Sequence, residues 1–515
     1  MTTPELKGAP LLVVGAGLMG AGIAQVAAQA GHAVQLFDTR EGAAEQAKAG
    51  LAATLDGLVA KGKMGTDDAN ATLARIAPIA SLAAGGSAHL VVEAIVEDLG
   101  IKRALFRQLE AVVAPGCVLA TNTSSISVTA LAAGLAHPGR LVGMHFFNPV
   151  PLMKLVEVVS GLHTEPAVAE AVFALAGAWG KVPVHARSTP GFIVNRIARP
   201  YYAEALALLL EQAATPQVLD ACLRAAGFRM GPCELMDLIG HDTNFAVTQS
   251  VYEANFFDKR FMPSLVQREM VEGGLLGRKS GRGFYRYPEG VPPLPVAVHE
   301  APATAREVTV HGEGAVADFL EQAATLALAA QGWGPARLRD SAWVGVEIDG
   351  ARLVLTTGRT AGEIAVQEGP ADVAVFDRPL ALTASAGLPT GLPPGTALAY
   401  ALAPQAGPAW RTQSAAWLAA LGFTPLPLAD TPGLVVARTV AMLVNEAADA
   451  VLQGVCTPAG ADAAMKLGVN YPAGPFEWLA HWSATEVLAL LDALDAQYRG
   501  ERYRASPWLR RQALL

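Results

Sequence analysis

Leu11-Leu12-Val13-Val14-Gly15-Ala16-Gly17-Leu18-Met19-Gly20 is the stretch from which the fold of this chain is read. The apolar run from Ala9 to Val14 has the composition of a strand buried on both faces of a parallel sheet. The glycines follow at once, and an alanine-rich helical pattern then runs to about Ala30. Gly31-His32-Ala33 leads into a second apolar run, Val34-Gln35-Leu36-Phe37, closed by Asp38. Strand, glycine turn, helix and a strand ending in a carboxylate form the first unit of a doubly wound α/β fold.

Each glycine in that unit has a physical task. Gly15 permits the tight turn, Gly17 lets the backbone approach a pyrophosphate, and Gly20 allows the helix to pack closely. The amides that open the helix, those of Leu18 and Met19 among them, are then available to phosphates. Asp38 lies 18 residues after Gly20, where a carboxylate accepts hydrogen bonds from ribose hydroxyls and repels a 2′-phosphate. NAD is therefore the expected cofactor. Arg40, two residues on, keeps NADP as the alternative, and a glycine turn in some other α/β fold competes with the fingerprint taken alone.

The alternation continues through residues 1–187, which are expected to form one Rossmann domain. After a helical stretch from about Ala43 to Ala77, residues His89 to Glu97 read as a buried strand and Leu99 to Val113 as a helix. Val118-Leu119-Ala120 delivers the polar Thr121-Asn122-Thr123-Ser124-Ser125 at a strand's C-terminal end, where open α/β sheets bind ligands. Arg140 to Met144 is a further strand and delivers His145-Phe146-Phe147-Asn148-Pro149. Glu157 follows His145 by twelve residues, on what is expected to be the adjacent strand. A carboxylate bonded to one imidazole nitrogen fixes the tautomer and raises the basicity of the other. A lone histidine is more often a core or surface residue, but Ser124 and Asn148 at neighbouring strand ends point to a catalytic cluster.

After Gly191 long helical patterns take over, from Ile193 to about Glu211 and from Pro216 to Ala226. Residues 188–287 are expected to form an all-α domain that ends in the Gly/Lys-rich segment Gly277 to Tyr285. Prolines at 288, 292, 293, 295 and 302 mark residues 288–305 as a linker. Ser188-Thr189-Pro190-Gly191-Phe192-Ile193-Val194-Asn195-Arg196 then has an echo, Asp430-Thr431-Pro432-Gly433-Leu434-Val435-Val436-Ala437-Arg438. Thr431 stands 242 residues after Thr189, and the same offset sets Asp462 against Asp220. Residues 426–515 thus read as a second copy of the helical domain, with Ala437 where the first copy has Asn195. Between them, residues 306–425 open with Val308 to Ala317, a strand, glycines and a helix start in which the third glycine has become Ala317. The segment reads as a small, degenerate Rossmann-like domain without a counterpart of His145 and Glu157, and Glu313 places a carboxylate where a pyrophosphate would sit. A plain α/β linker domain with a chance glycine pair is the other reading.

Composition bounds the partners. At 515 residues the chain calls for three or four domains, and 52% hydrophobic with 16% charged residues gives enough apolar surface to close their cores. No apolar run approaches the roughly 18 to 20 residues of a membrane span, and no signal-peptide pattern opens the chain, so the cytoplasm is the expected location. A net charge of −8 without long blocks argues against nucleic acid. The four cysteines lack metal-type or redox-type spacing, so neither a metal site nor a disulfide is expected.

Six motifs in order carry a family resemblance: the glycine fingerprint, Val92 to Glu97, Asn122 to Ser125, His145 to Pro149, Lys154 to Val158, and Thr189 to Arg196. Over its first 288 residues the chain resembles the L-3-hydroxyacyl-CoA dehydrogenases, in a long bacterial form with a duplicated C-terminal domain. The resemblance implies that His145 is the general base, that Glu157 orients it, and that Ser124 and Asn195 hold the reacting oxygen or the thioester region. It makes Glu97, Lys102, Ser124 and Asn148 cofactor contacts, adds Lys279 from the terminal Gly/Lys segment, and offers Lys61 and Lys63 as partners of CoA phosphates or as two solvated lysines. The substrates it implies are 3-hydroxyadipyl-CoA and 3-hydroxybutyryl-CoA, as in phenylacetate or fatty acid breakdown. Shorter members dimerise through their helical domains, so an intramolecular pseudo-dimer is expected, or a homo-oligomer. An NAD dehydrogenase of a free hydroxy or sugar acid, and a non-catalytic binding subunit, are the alternatives.

Overall fold

A computed structural model describes residues 4–294, 301–380 and 396–515. Residues 295–300 of the expected linker and 381–395 of the expected second α/β segment lie outside the described residues. The chain divides into two compact units, Met1–Arg196 with Gln453–Val469, and Ile197–Leu452 with Asn470–Leu515.

The first unit is built on eight strands: β1 (Leu11–Val14), β2 (Val34–Phe37), β3 (Ile76–Pro78), β4 (Leu90–Glu93), β5 (Val118–Thr121), β6 (Leu141–Phe146), β7 (Leu155–Ser160) and β8 (Val182–Arg187). Their order is β3-β2-β1-β4-β5-β6-β7-β8, with every pairing parallel except β6 against β7. All residues of β1, β4 and β5 are buried, as apolar runs covered on both faces must be. The order reverses between β1 and β4, which opens a crevice at their C-terminal ends. Two expectations need correction. The stretch read as helical from Ala43 to Ala77 is two helices, Ala43–Ala60 and Thr66–Ala74, followed by the edge strand β3. The fourth strand stops at Glu93, because Glu93 Oε1 accepts from the Ile95 amide and turns the chain out of the sheet.

The second unit holds a seven-stranded sheet of β9 (Val308–His311), β10 (Ala336–Leu338), β11 (Gly345–Ile348), β12 (Ala351–Leu355), β13 (Val373–Phe376), β14 (Thr396–Leu402) and β15 (Phe423–Pro427). The order is β10-β9-β11-β12-β13-β14-β15. Here β11 and β12 form a hairpin whose Asp349-Gly350 turn has both φ angles positive, 48° and 86°, as a tight two-residue loop requires. At the other edge the pattern of the first sheet returns: β13 is antiparallel to β14 and β14 parallel to β15, like β6, β7 and β8.

The helical repeat is visible in its local chemistry. Thr215 and Thr457, 242 residues apart, each cap a helix with a side-chain oxygen, and each is followed by the proline that suits a first helical position. Gly191 and Phe192 have φ of 76° and 47°; Gly433 and Leu434 have 70° and 52°. In the second unit the helices Arg199–Leu210 and Val436–Leu452 pack together, joined by buried ion pairs. Arg502 Nη2 meets Glu204 Oε1 at 2.9 Å, and Arg260 Nη1 meets Glu446 Oε2 at 3.2 Å. Each member of the second pair is the 242-residue counterpart of a member of the first. The two copies also lend a helix to the two sheets. Helix Pro458–Gly468, from the second copy, packs on β7 and β8 in the first unit, where the Arg187 amide donates to Val455 O at 2.9 Å. Helix Pro216–Ala225, from the first copy, packs on β14 in the second unit.

Among the described residues no helix is long and apolar enough to cross a membrane, and no cluster of three or more His, Cys, Asp or Glu could hold a metal ion.

Candidate active site

The glycine turn after β1 is fixed by sterics. Gly15 has φ 105°, and a Cβ there would lie 2.4 Å from Ala94 O; a Cβ on Gly20 would lie 1.7 Å from Gly15 O. Gly17 has open space instead, as the approach of a bulky ligand demands. Leu18, 72% exposed, and the half-buried Met19 open the helix Leu18–Gln29. Asp38, at the end of β2, accepts from the Ala16 amide at 2.8 Å and from the Arg40 amide at 2.9 Å, and its carboxylate pairs with the Arg40 guanidinium at 3.1 Å. Burial pushes the Asp38 carboxyl up, but Arg40 and the two amides outweigh it and hold the group below its ordinary value. A groove of about 860 Å³ runs past Gly15, Gly17, Asp38, Ile95 and Leu105. Open phosphate side, ionised carboxylate and apolar wall fit a dinucleotide.

Glu93, Glu97 and Lys102 form a charged cluster at the ends of β4 and β5. Glu93 takes the Lys102 ammonium at 2.5 Å and the Thr121 hydroxyl at 2.7 Å. Glu97 Oε1 accepts from the Thr123 hydroxyl at 2.7 Å and from the Ser124 and Ser125 amides at 2.8 and 3.1 Å, while its Oε2 lies 3.3 Å from Lys102. Burial raises the Glu97 carboxyl, and the Thr123 hydroxyl, Lys102 and the amides pull it below the ordinary range. Glu97 therefore shapes the Ser124 loop. Lys102 is 1% exposed, and its ammonium lies between the Glu93 and Glu97 carboxylates at 2.5 and 3.3 Å, where it supports that loop.

His145 and Glu157 face one another as a cross-strand pair of β6 and β7. The antiparallel turn between two parallel neighbours is what brings residues twelve apart into register. His145 Nδ1 lies 2.6 Å from Glu157 Oε2, and Glu157 Oε1 accepts the Ile193 and Val194 amides at 3.1 and 2.9 Å. Those amides point inwards because Gly191 and Phe192 are left-handed. Glu157 is fully buried and His145 is 6% exposed, with the rings of Phe147 and Phe192 at 4.6 and 5.8 Å. Asn195 Nδ2 donates to Ser124 O at 3.5 Å, which ties the last two members of the expected set together. With Nδ1 bound to a carboxylate, Nε2 is the ring nitrogen left for proton transfer.

Of the other residues singled out from sequence, Asn148 is exposed beyond β6, and Lys61 and Lys63 are exposed in the connection between two helices. Lys279 belongs to the second unit, where its ammonium pairs with Asp242.

The second unit contains one arrangement that the sequence did not disclose. Register continues from Phe376 opposite Tyr400, so Asp377 faces Ala399, with its amide bonded to Ala399 O at 2.9 Å. Ala399 is the 242-residue counterpart of Glu157, and Asp377 therefore occupies the position of His145. Asp377 accepts from the amides of Val435, Val436 and Ala437 at 3.0, 2.7 and 2.9 Å, so it holds the same left-handed turn that Glu157 holds. The carboxylate has crossed to the neighbouring strand and the imidazole is gone. Burial pushes the Asp377 carboxyl up to about 6 against the pull of those amides. A single strand-end aspartate gives no periodic signal, and only the register of the sheet reveals it.

Known proteins match along the whole chain. The NAD binding domain of 3-hydroxyacyl-CoA dehydrogenase matches residues 11–189, the C-terminal domain of the same family matches residues 191–287 and again 433–514, and the reduced Rossmann-fold domain of 3-hydroxybutyryl-CoA dehydrogenase matches residues 353–432. The chain is 44% identical over 504 residues to 3-hydroxyadipyl-CoA dehydrogenase of Escherichia coli K12, covering 98% of this chain and 97% of that one. It is also 44% identical over 276 residues to a probable 3-hydroxybutyryl-CoA dehydrogenase of Deinococcus radiodurans, covering 53% of this chain and 99% of the relative. A crystal structure of 3-hydroxybutyryl-CoA dehydrogenase from Escherichia coli K12 superposes with a TM-score of 0.87 at 42% identity over 99% of both chains. With its NAD-binding domain and both helical copies matched, this chain belongs to the 3-hydroxyacyl-CoA dehydrogenase family and is an NAD-dependent oxidoreductase of hydroxyacyl-CoA thioesters.

Proposed function

We propose that the chain oxidises the 3-hydroxyl of an L-3-hydroxyacyl-CoA through His145 and Glu157, with 3-hydroxyadipyl-CoA as the preferred substrate. The reaction turns an alcohol into a ketone: the C3 hydrogen leaves as hydride with its electron pair, and the hydroxyl gives up its proton. The Gly15 turn, the start of helix Leu18–Gln29 and Asp38 would hold NAD, which would supply the hydride acceptor when bound. His145 Nε2 takes the hydroxyl proton while Glu157 keeps Nδ1 protonated and stabilises the imidazolium. Ser124 and Asn195 hydrogen-bond the reacting oxygen or the thioester region. The observation that carries this reading is the 2.6 Å bond between His145 and a Glu157 carboxylate that is itself fixed by two amides. His145→Ala is expected to keep NAD affinity and lose turnover by about 10² to 10⁴. A variant with normal turnover would remove His145 from the mechanism.

The substrate choice rests on the 3-hydroxyadipyl-CoA dehydrogenase that matches this chain from end to end. NAD reduction measured with 3-hydroxyadipyl-CoA and 3-hydroxybutyryl-CoA tests it, and a higher kcat/KM for the second would reverse the assignment. The second helical copy takes the place of a partner subunit in this reading. Its support is the pair of ion contacts Arg502 to Glu204 and Arg260 to Glu446, since a two-fold contact brings i to j and j to i.

A further inference from the structure

We propose that Gly468 is a positioning residue of the active site: its missing side chain is the space that lets Phe147 and Val194 hold His145 and Glu157 in register. The proposal rests on the reading of that pair as the reacting dyad. Gly468 ends the helix Pro458–Gly468, which the second helical copy contributes to the first unit. A Cβ on Gly468 would lie 2.7 Å from Leu155 Cδ2, 3.0 Å from Val194 Cγ2 and 3.6 Å from Phe147 Cε1. Each of these neighbours leads directly to the dyad. The Phe147 ring packs on the His145 ring at 4.6 Å, the Val194 amide donates to Glu157 Oε1 at 2.9 Å, and Leu155 lies two residues before Glu157 in β7. One added methyl would therefore displace the Leu155 side chain, press on Val194 and meet the Phe147 ring at van der Waals distance, and a larger side chain would press on all three.

Backbone conformation does not account for this glycine, because Gly468 is absent from the positive-φ residues of the chain. Room for a side chain is the remaining reason for its smallness. The decayed copy supplies the comparison. There the position 242 residues earlier is Ala226, and it lines a small cavity with Ala397, Ala399, Val436 and Asp377. Those four correspond to Leu155, Glu157, Val194 and His145. Where the histidine is lost, a methyl group is accommodated; where the dyad is kept, the position is glycine.

The test uses the full chain carrying Gly468→Ala or Gly468→Val, with kcat and KM measured on 3-hydroxybutyryl-CoA, NAD affinity measured by fluorescence, and thermal unfolding recorded. Gly468→Val is expected to lower kcat by about 10², the scale of a misplacement near 1 Å, and Gly468→Ala by a few-fold, with the NAD Kd within about twofold. Adding Leu155→Ala to Gly468→Val should restore kcat about tenfold by returning the space, although it removes further core volume. Ala226→Val in the decayed copy should leave kcat within about twofold. A folded Gly468→Val enzyme with near-normal kcat overturns the proposal, as does a loss of activity that Leu155→Ala deepens. If Gly468→Val does not fold, Gly468→Ala with and without Leu155→Ala gives the same decision. His145→Ala separates the two readings: retained turnover there removes the dyad itself, whereas lost turnover beside a normal Gly468→Val removes only the role of Gly468.

Discussion

Replacing Glu157 by glutamine changes one charge and little volume, so its effect isolates the electrostatic part of the dyad. Glutamine can still accept the Ile193 and Val194 amides that now reach Glu157 Oε1 at 3.1 and 2.9 Å, so the left-handed turn at Phe192 keeps its anchor. What is lost lies on the other oxygen, 2.6 Å from His145 Nδ1. Once His145 has taken the substrate proton, an imidazolium and a carboxylate with charge centres about 4 Å apart attract by about 4 kcal/mol at an effective dielectric near 20. That attraction exists only after proton transfer, so its removal falls on the barrier, and at 1.36 kcal/mol per tenfold it corresponds to about 10³ in kcat/KM. The side-chain amide N–H also opposes Nδ1–H and favours the tautomer with its proton on Nε2, which cannot act as a base. Steady-state NADH formation with 3-hydroxyacyl-CoA measures the loss, and equilibrium NAD binding shows whether the groove is intact. A loss below about tenfold, or an equal loss of NAD affinity, would refute the electrostatic role.

Asp38→Ala should raise the KM for NAD by tenfold or more with little change in kcat. It also frees Arg40, whose guanidinium now sits on Asp38 at 3.1 Å, so the ratio of NADP to NAD use should rise; an unchanged ratio argues against the ribose contact. Arg438 is fully buried between Glu204 at 2.6 Å and the Tyr498 and Tyr503 hydroxyls, so Arg438→Ala should lower stability by about 3 to 5 kcal/mol in denaturant titrations. Asp220 is fully buried, and burial pushes its carboxyl from the ordinary 3.8 up to about 6 despite bonds from Tyr285, Cys233 and Glu234. A carboxyl raised in the folded state contributes stability that is complete below about pH 4 and is lost as pH rises through about 6, an effect of about 3 kcal/mol. The advantage of wild type over Asp220→Asn should therefore shrink by about that amount between those pH values, and parallel stability curves would contradict it. A chain ending near residue 287 should dimerise or aggregate when its mass is measured in solution, and an active monomer would exclude the pseudo-dimer.

The strand and glycine pattern of residues 9–38 was legible because a buried parallel strand and a phosphate turn each constrain composition locally. His145 and Glu157 were legible as a pair because one antiparallel step converts their separation in sequence into a cross-strand contact. The bonds that Lys102 makes were not legible, because a position in a motif says nothing of where a long side chain ends, and its ammonium lies 2.5 Å from Glu93. The role of Asp377 and the packing of the Pro458–Gly468 helix on β7 and β8 were not legible for a different reason. Both rest on contacts between distant segments, and such pairings leave no periodicity in either partner.

The reciprocal bonds Arg502 to Glu204 and Arg260 to Glu446 have a consequence for dilution and for heredity. Two subunits fall apart when their concentration drops below their dissociation constant, whereas two copies on one chain face each other at an effective concentration that dilution does not change. Turnover per molecule should then stay constant down to concentrations at which a short homodimer loses activity. In a homodimer, moreover, each substitution is made twice and strikes both sites. Two copies on one chain are free of that bond, and under the proposed pseudo-dimer this is why Ala399 can stand opposite Asp377 while Glu157 stands opposite His145.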